Sequence, residues 1–189
     1  MDTFIQTKDN FITKDLCDDI ILNFNKNNIN HLNNLNNLNN PNNKQNINED
    51  NGYEKYLIEN NNIVKCVLNG FDEILKIYNK EILDYKVNIF LIDNEMYYIK
   101  LNKNKDNKKL NNYFNIKNNN NEYSFLMFII FLNENDINSG IRINNNYIKP
   151  EIGKLLLFPC GWCFPYEYLM PSKQDNYFIS GIIYNKFNT

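Results

Sequence analysis

The sequence predicts an α+β domain in which amphipathic helices back one face of a β-sandwich or barrel. Apolar residues recur at helical spacing up to about Tyr78, and from Val87 onward the period changes to short β-branched and aromatic runs bounded by Asn, Gly, Pro or Asp. Size agrees with this. A chain of 189 residues with 43% hydrophobic and 14% aromatic content suits one domain, 1–189, with a substantial core.

The elements follow in order. TKDLCDDIILNFNK carries Thr13 as an N-cap, an acidic Asp15 in the first turn, and Leu16, Ile20, Ile21 and Phe24 on one helical face. From about 27 to 51 the tract containing HLNNLNNLNNPNNKQN reads as an exposed loop or disordered insertion. Leu32, Leu35 and Leu38 repeat every three residues there, but Asn is a poor helix former and Pro41 interrupts. A second helix is expected from about Tyr53 to Tyr78, its apolar face made by Ile63, Val64, Val67, Leu68, Phe71, Ile74, Leu75 and Tyr78. The strands expected after it are VNIFLID, MYYIKLN, YFNIK, EYSFLMFIIFLN, GIRIN, KLLLFP and NYFISGIIYNKF. No internal repeat of 20 to 50 residues is visible.

Composition excludes several function classes. The net charge of −2 provides no field for nucleic acid or an anionic membrane, and Arg142 is the only arginine. Abundant Asn and Lys match an AT-rich genome, as in large DNA viruses or some protists, so runs of either carry little functional weight. MDTFIQTKDNF has no basic segment followed by an apolar stretch, so no secretory signal is read. The longest apolar run, Phe125 to Leu132, is far short of the roughly 20 residues that a membrane helix needs. Four cysteines without a secretory signal read as reduced thiols, and the expected setting is intracellular, cytoplasmic or, for a viral protein, the virion.

The stretch FPCGWCFPYEY, Phe158 to Tyr168, spells a C-x-x-C pair with Cys160 and Cys163. A structural zinc needs four ligands, and neither Cys17 nor Cys66 has a partner at chelate spacing. A redox dithiol belongs at the N-terminus of a helix after a strand, whereas here F-P flanks the pair on both sides. The pair therefore reads as coincidental, and no metal site is expected. His31 is the only histidine and lies in the Asn-rich tract. There is no Gly-rich phosphate loop, G-x-S-x-G elbow or H-E-x-x-H.

The C-terminal third, FIIFLNENDINSGIRI…YIKPEIGKLLLFPCGWCFPYEYLMPSKQDNYFISGIIY, resembles the prolyl-4-hydroxylase-like 2-oxoglutarate/iron(II) dioxygenases. That family reads in outline as Y-L-N, G-G-x-T-x-F, P-x-x-G-x-L-L-x-F-P, then F-x-H and a Lys or Arg about ten residues later. The opening DNFITKDLCDDIILNF is also similar to the family's first strand and helix. The resemblance implies a double-stranded β-helix, a jelly-roll or cupin-like barrel, backed by the N-terminal helices.

The family holds ferrous iron with two histidines and a carboxylate, leaving open positions for 2-oxoglutarate and oxygen. On this resemblance Lys117, Asn118 and Asn119 fall over the family's H-x-D, Tyr166 stands at the distal histidine, and Asn176 stands at the cosubstrate's basic residue. Charged lysine is a poor ligand for a cation. A phenol ligates only as phenolate, which suits ferric more than ferrous iron. Asparagine lacks the charge-assisted bidentate grip of arginine. Arg142 and Lys173 are the candidate pocket cations that could replace it, each also readable as a surface charge. The pattern implies a pseudoenzyme that uses neither Fe(II) nor 2-oxoglutarate and acts as a binding or structural module, with a protein as its partner. The alternative is an active 2-oxoglutarate-dependent hydroxylase with unorthodox metal ligands.

Overall fold

The computed structural model of the chain describes residues 4–35, 53–58, 61–78, 89–103, 122–136, 139–161 and 163–186. Its elements run β1 (Gln6–Lys8), α1 (Lys14–Leu35), β2 (Tyr53–Leu57), α2 (Asn61–Tyr78), β3 (Ile89–Leu101), β4 (Glu122–Phe131), β5 (Gly140–Ile143), β6 (Asn146–Ile148), β7 (Leu155–Pro159), β8 (Tyr166–Leu169) and β9 (Asn176–Lys186). YFNIK, with Lys117 and Asn119, lies outside the described residues. Among the described residues no helix is long and apolar enough to cross a membrane.

Thr13 caps α1: its Oγ1 accepts from the Leu16 amide at 3.3 Å, and its carbonyl accepts from Cys17 N at 3.1 Å. The helix then runs to Leu35, past position 27 where a loop was expected. Propagation explains this. Once a helix is nucleated each added residue gains a hydrogen bond, and Asn costs under about 0.7 kcal/mol relative to Ala.

The expected helical start at Tyr53 is also corrected. YEKYL forms β2, antiparallel to β3 with Tyr53 opposite Leu101 and Leu57 opposite Tyr97. Its tyrosines suit a pleated edge, and α2 begins only at Asn61. VNIFLID and MYYIKLN merge into the single strand β3, whose register against β9 shifts between Leu91 and Met96.

Among the described residues two antiparallel sheets face each other. The larger has six strands in the order β1-β7-β4-β9-β3-β2, and the smaller has β6-β5-β8. Because strand side chains alternate, the large sheet divides its residues between two cores. Leu126, Phe128 and Ile130 of β4, Leu155 and Leu157 of β7, and Ile179 and Ile183 of β9 pack against the helices. There they meet Cys17 and Ile20 of α1 and Val64, Val67 and Phe71 of α2, with Phe71 and Phe128 edge-to-face at 4.9 Å. Met127, Ile129 and Phe131, with Leu156, Phe158 and Phe178, point the other way and meet Ile141, Ile143, Tyr166 and Tyr168 of the small sheet. This second core is the interior of the barrel.

Gly153 stitches the N-terminus to the sheet. Its amide donates to Phe131 O at 2.8 Å, while its carbonyl accepts from Phe11 N at 2.8 Å and Ile12 N at 3.3 Å. Its φ is 74°, and a Cβ built there would lie 2.2 Å from the Ile12 carbonyl oxygen. Gly153→Ala therefore combines left-handed strain with a backbone clash. The expected loss exceeds about 2 kcal/mol in urea denaturation. An unchanged midpoint would show that this junction does not hold the two segments together.

Candidate functional site

β8 and the first turn of β9 carry the two described positions that the resemblance marks for metal and cosubstrate. In β8, Tyr166 pairs with Ile143, Glu167 with Arg142, and Tyr168 with Ile141. Alternation sends Tyr166 and Tyr168 inward and Glu167 and Leu169 outward. Tyr166 is 5% exposed, with its hydroxyl oxygen buried, and its ring lies edge-to-face with Phe158 at 5.4 Å and Tyr168 at 5.6 Å.

Asn176 opens β9 opposite Leu101 and is 2% exposed. Its Oδ1 accepts from Asn135 Nδ2 at 2.7 Å, and the same Nδ2 reaches Gln174 O at 2.7 Å. The position thus forms part of a structural lacing between the β4–β5 and β8–β9 connections. Asn133 Nδ2 donates to Asp175 O at 2.9 Å, Asn133 Oδ1 accepts from Tyr177 N at 2.9 Å, and Gln174 Nε2 donates to Glu134 O at 2.7 Å. Asp175 also accepts from Lys103 N at 2.9 Å and pairs with Lys100 at 3.4 Å.

The structure separates the candidate cations from the barrel interior. Arg142 lies on the outer face of β5, its side chain 47% exposed and ion-paired with Glu167. Lys173 is exposed on the connection between β8 and β9. Within the barrel the described residues that pack together are apolar or aromatic, joined by Asn176 opposite Leu101 and Ser180 opposite Tyr97 and Ile129. Among the described residues no three His, Cys, Asp or Glu side chains group as metal ligands would.

The C-x-x-C pair is split by its surroundings. Cys160 packs against the barrel core, and burial pushes its thiol up to about 12. A reactive dithiol needs the opposite shift, toward the thiolate. Cys163 is exposed in a turn closed by Phe164 N donating to Gly161 O at 3.1 Å, and both thiols are free. Motif spacing did not reveal Tyr168, whose ring meets Tyr166, or Phe178, whose ring meets Tyr168. The period-2 alternation in YEY and NYF was the signal that could have found them.

The buried Cys17 and the partly buried Cys160 set a pH dependence. Burial also pushes Cys17 up to about 11, from an ordinary value of 9.0. Between pH 9 and 11 the unfolded chain loses these protons while the native chain keeps them, so the unfolded state is favoured as pH rises. Stability conferred by the protonated thiols is therefore complete below pH 9 and lost progressively above it. Urea midpoints measured from pH 8 to pH 11 are expected to fall, and Cys17→Ala with Cys160→Ala should flatten that slope.

No family model matches the chain, and no curated protein matches it in sequence. Solved structures match it in fold. A viral collagen prolyl hydroxylase from Paramecium bursaria Chlorella virus-1, in its 2OG complex, has a TM-score of 0.65 at 10% identity and covers 98% of this chain and 97% of its own. A Pseudomonas putida prolyl-4-hydroxylase has a TM-score of 0.60 at 14% identity, covering 97% of this chain and 93% of its own. A prolyl hydroxylase from Trichoplax adhaerens, in complex with a hypoxia inducible factor oxygen degradation domain peptide fragment, has a TM-score of 0.59 at 15% identity, covering 97% and 83%. The chain has the double-stranded β-helix fold of these prolyl-hydroxylase-like oxygenases, with helices α1 and α2 against the large sheet.

Proposed function

We propose that the chain is a catalytically inactive member of the 2-oxoglutarate/iron(II) dioxygenase group, serving as a binding or structural module. The observation that carries the reading is Tyr166. It stands where the resemblance puts the distal iron-binding histidine, and it is held among Phe158 and Tyr168 as a core side chain. The donor set does not suit ferrous iron, because a phenol ligates only as phenolate and favours the ferric state. Nor does Asn176 suit a carboxylate-binding role. It carries no positive charge and lacks the charge-assisted bidentate grip of a guanidinium, and Asn135 Nδ2 holds its amide by donating to its Oδ1. Arg142, which could have supplied the missing charge, is paired with Glu167 on the outer face.

With a net charge of −2, the partner this reading implies is a protein rather than a nucleic acid. Anaerobic reconstitution with Fe(II), followed by metal analysis and a 2-oxoglutarate decarboxylation assay, tests it. The expected result is far less than one iron per chain and no succinate above a protein-free control. One iron per chain together with succinate formation would establish the active, unorthodox hydroxylase instead.

A further inference from the structure

Five aromatic rings run through the barrel interior in unbroken contact. Phe158 meets Tyr166 at 5.4 Å between centroids, Tyr166 meets Tyr168 at 5.6 Å, Tyr168 meets Phe178 at 5.2 Å, and Phe178 meets Phe131 at 6.3 Å. All five are at most 5% exposed. These are contact separations for packed rings. The ring contacts thus run from position 166 through Tyr168 to Phe178, which lies two residues from Asn176 on the same face of β9.

We infer that this ring column itself closes the barrel to a dicarboxylate, over and above the changed ligand chemistry at positions 166 and 176. The inference rests on the inactive reading and deepens it by naming what occupies the interior. A 2-oxoglutarate molecule bridging the metal position and the carboxylate position would have to displace the Tyr168 and Phe178 rings. It would also lose the hydration of two carboxylates among mostly apolar neighbours, and the buried polar residues described, Ser139, Asn176 and Ser180, bring no positive charge to offset that loss.

The test compares wild type with Tyr168→Ala and Phe178→Ala, using benzene and 2-oxoglutarate as probes. Removing one ring from a filled apolar column leaves a dry cavity that takes up benzene. Each variant should melt well below wild type and recover by a few degrees in near-saturating benzene, while wild type does not respond. Calorimetric titration of wild type with 2-oxoglutarate, without iron, should show no binding. If the alanine variants do not fold, Tyr168→Leu and Phe178→Leu provide the same comparison with smaller shifts. Benzene stabilising wild type, 2-oxoglutarate binding to it, or truncations that neither lower the melting point nor respond to benzene would each overturn the closed barrel. The two readings fail separately. Succinate formation by the iron-loaded chain sinks the inactive reading, and uptake of either probe by iron-free wild type, with no succinate formed after iron is added, sinks only the closed barrel.

Discussion

In the antiparallel pairing of β4 with β9, Phe131 lies opposite Phe178 and Ile130 opposite Ile179, so these two strands contribute side chains to two cores at once. One face supports α1 and α2, and the other closes the barrel against β5 and β8. A one-residue slip along β4 would exchange these faces and send every ring to the wrong core. The register is protected from both sides. Phe128 sits against Phe71 on the helical side, and Phe131 against Phe178 inside the barrel. Gly153 then ties β4 to the segment entering α1, through Phe131 O on one side and Phe11 and Ile12 on the other.

This constraint bears on function. A barrel that hosts chemistry keeps polar, often destabilising groups in its interior, and stability is commonly lost in exchange for activity. Here the two described positions that the resemblance assigns to that chemistry, Tyr166 and Asn176, serve packing and loop anchoring. Tyr166 contributes a ring to the barrel core, and Asn176 joins Asn135 in connecting the β4–β5 and β8–β9 segments. On the proposed reading, selection for a bound cofactor has been replaced by selection for a well-filled interior, and the outer surface is left to carry interactions. The pair Arg142–Glu167 sits on that surface.

Much of the fold was legible in the residues. FLMFIIFL is nearly continuous in its apolarity because β4 is buried on both faces, and Thr13 announces α1 because its hydroxyl caps a free amide. Gly153 stands in a P-x-x-G pattern that needs a left-handed residue beside a passing backbone. Local pattern failed where long-range pairing decided the outcome. YEKYL becomes a strand because β3 offers it a partner, and α1 outruns the Asn-rich boundary because an established helix is cheap to extend. The site was half legible. Tyr166 and Asn176 came from motif order, but their ring and amide neighbours depend on β7, β8, β9 and the 133–135 connection, which meet only in three dimensions. Lys117 and Asn119 lie outside the described residues.

On the proposed reading position 166 belongs to the barrel core, and Tyr166→His probes this by placing there the imidazole of the resembled family and removing the ring contacts with Phe158 and Tyr168. Thermal unfolding of this variant, with and without Fe(II) and 2-oxoglutarate, gives the answer. Its melting temperature is expected several degrees below wild type, with neither additive restoring it. A variant as stable as wild type, or one stabilised by iron and 2-oxoglutarate together, would contradict that reading.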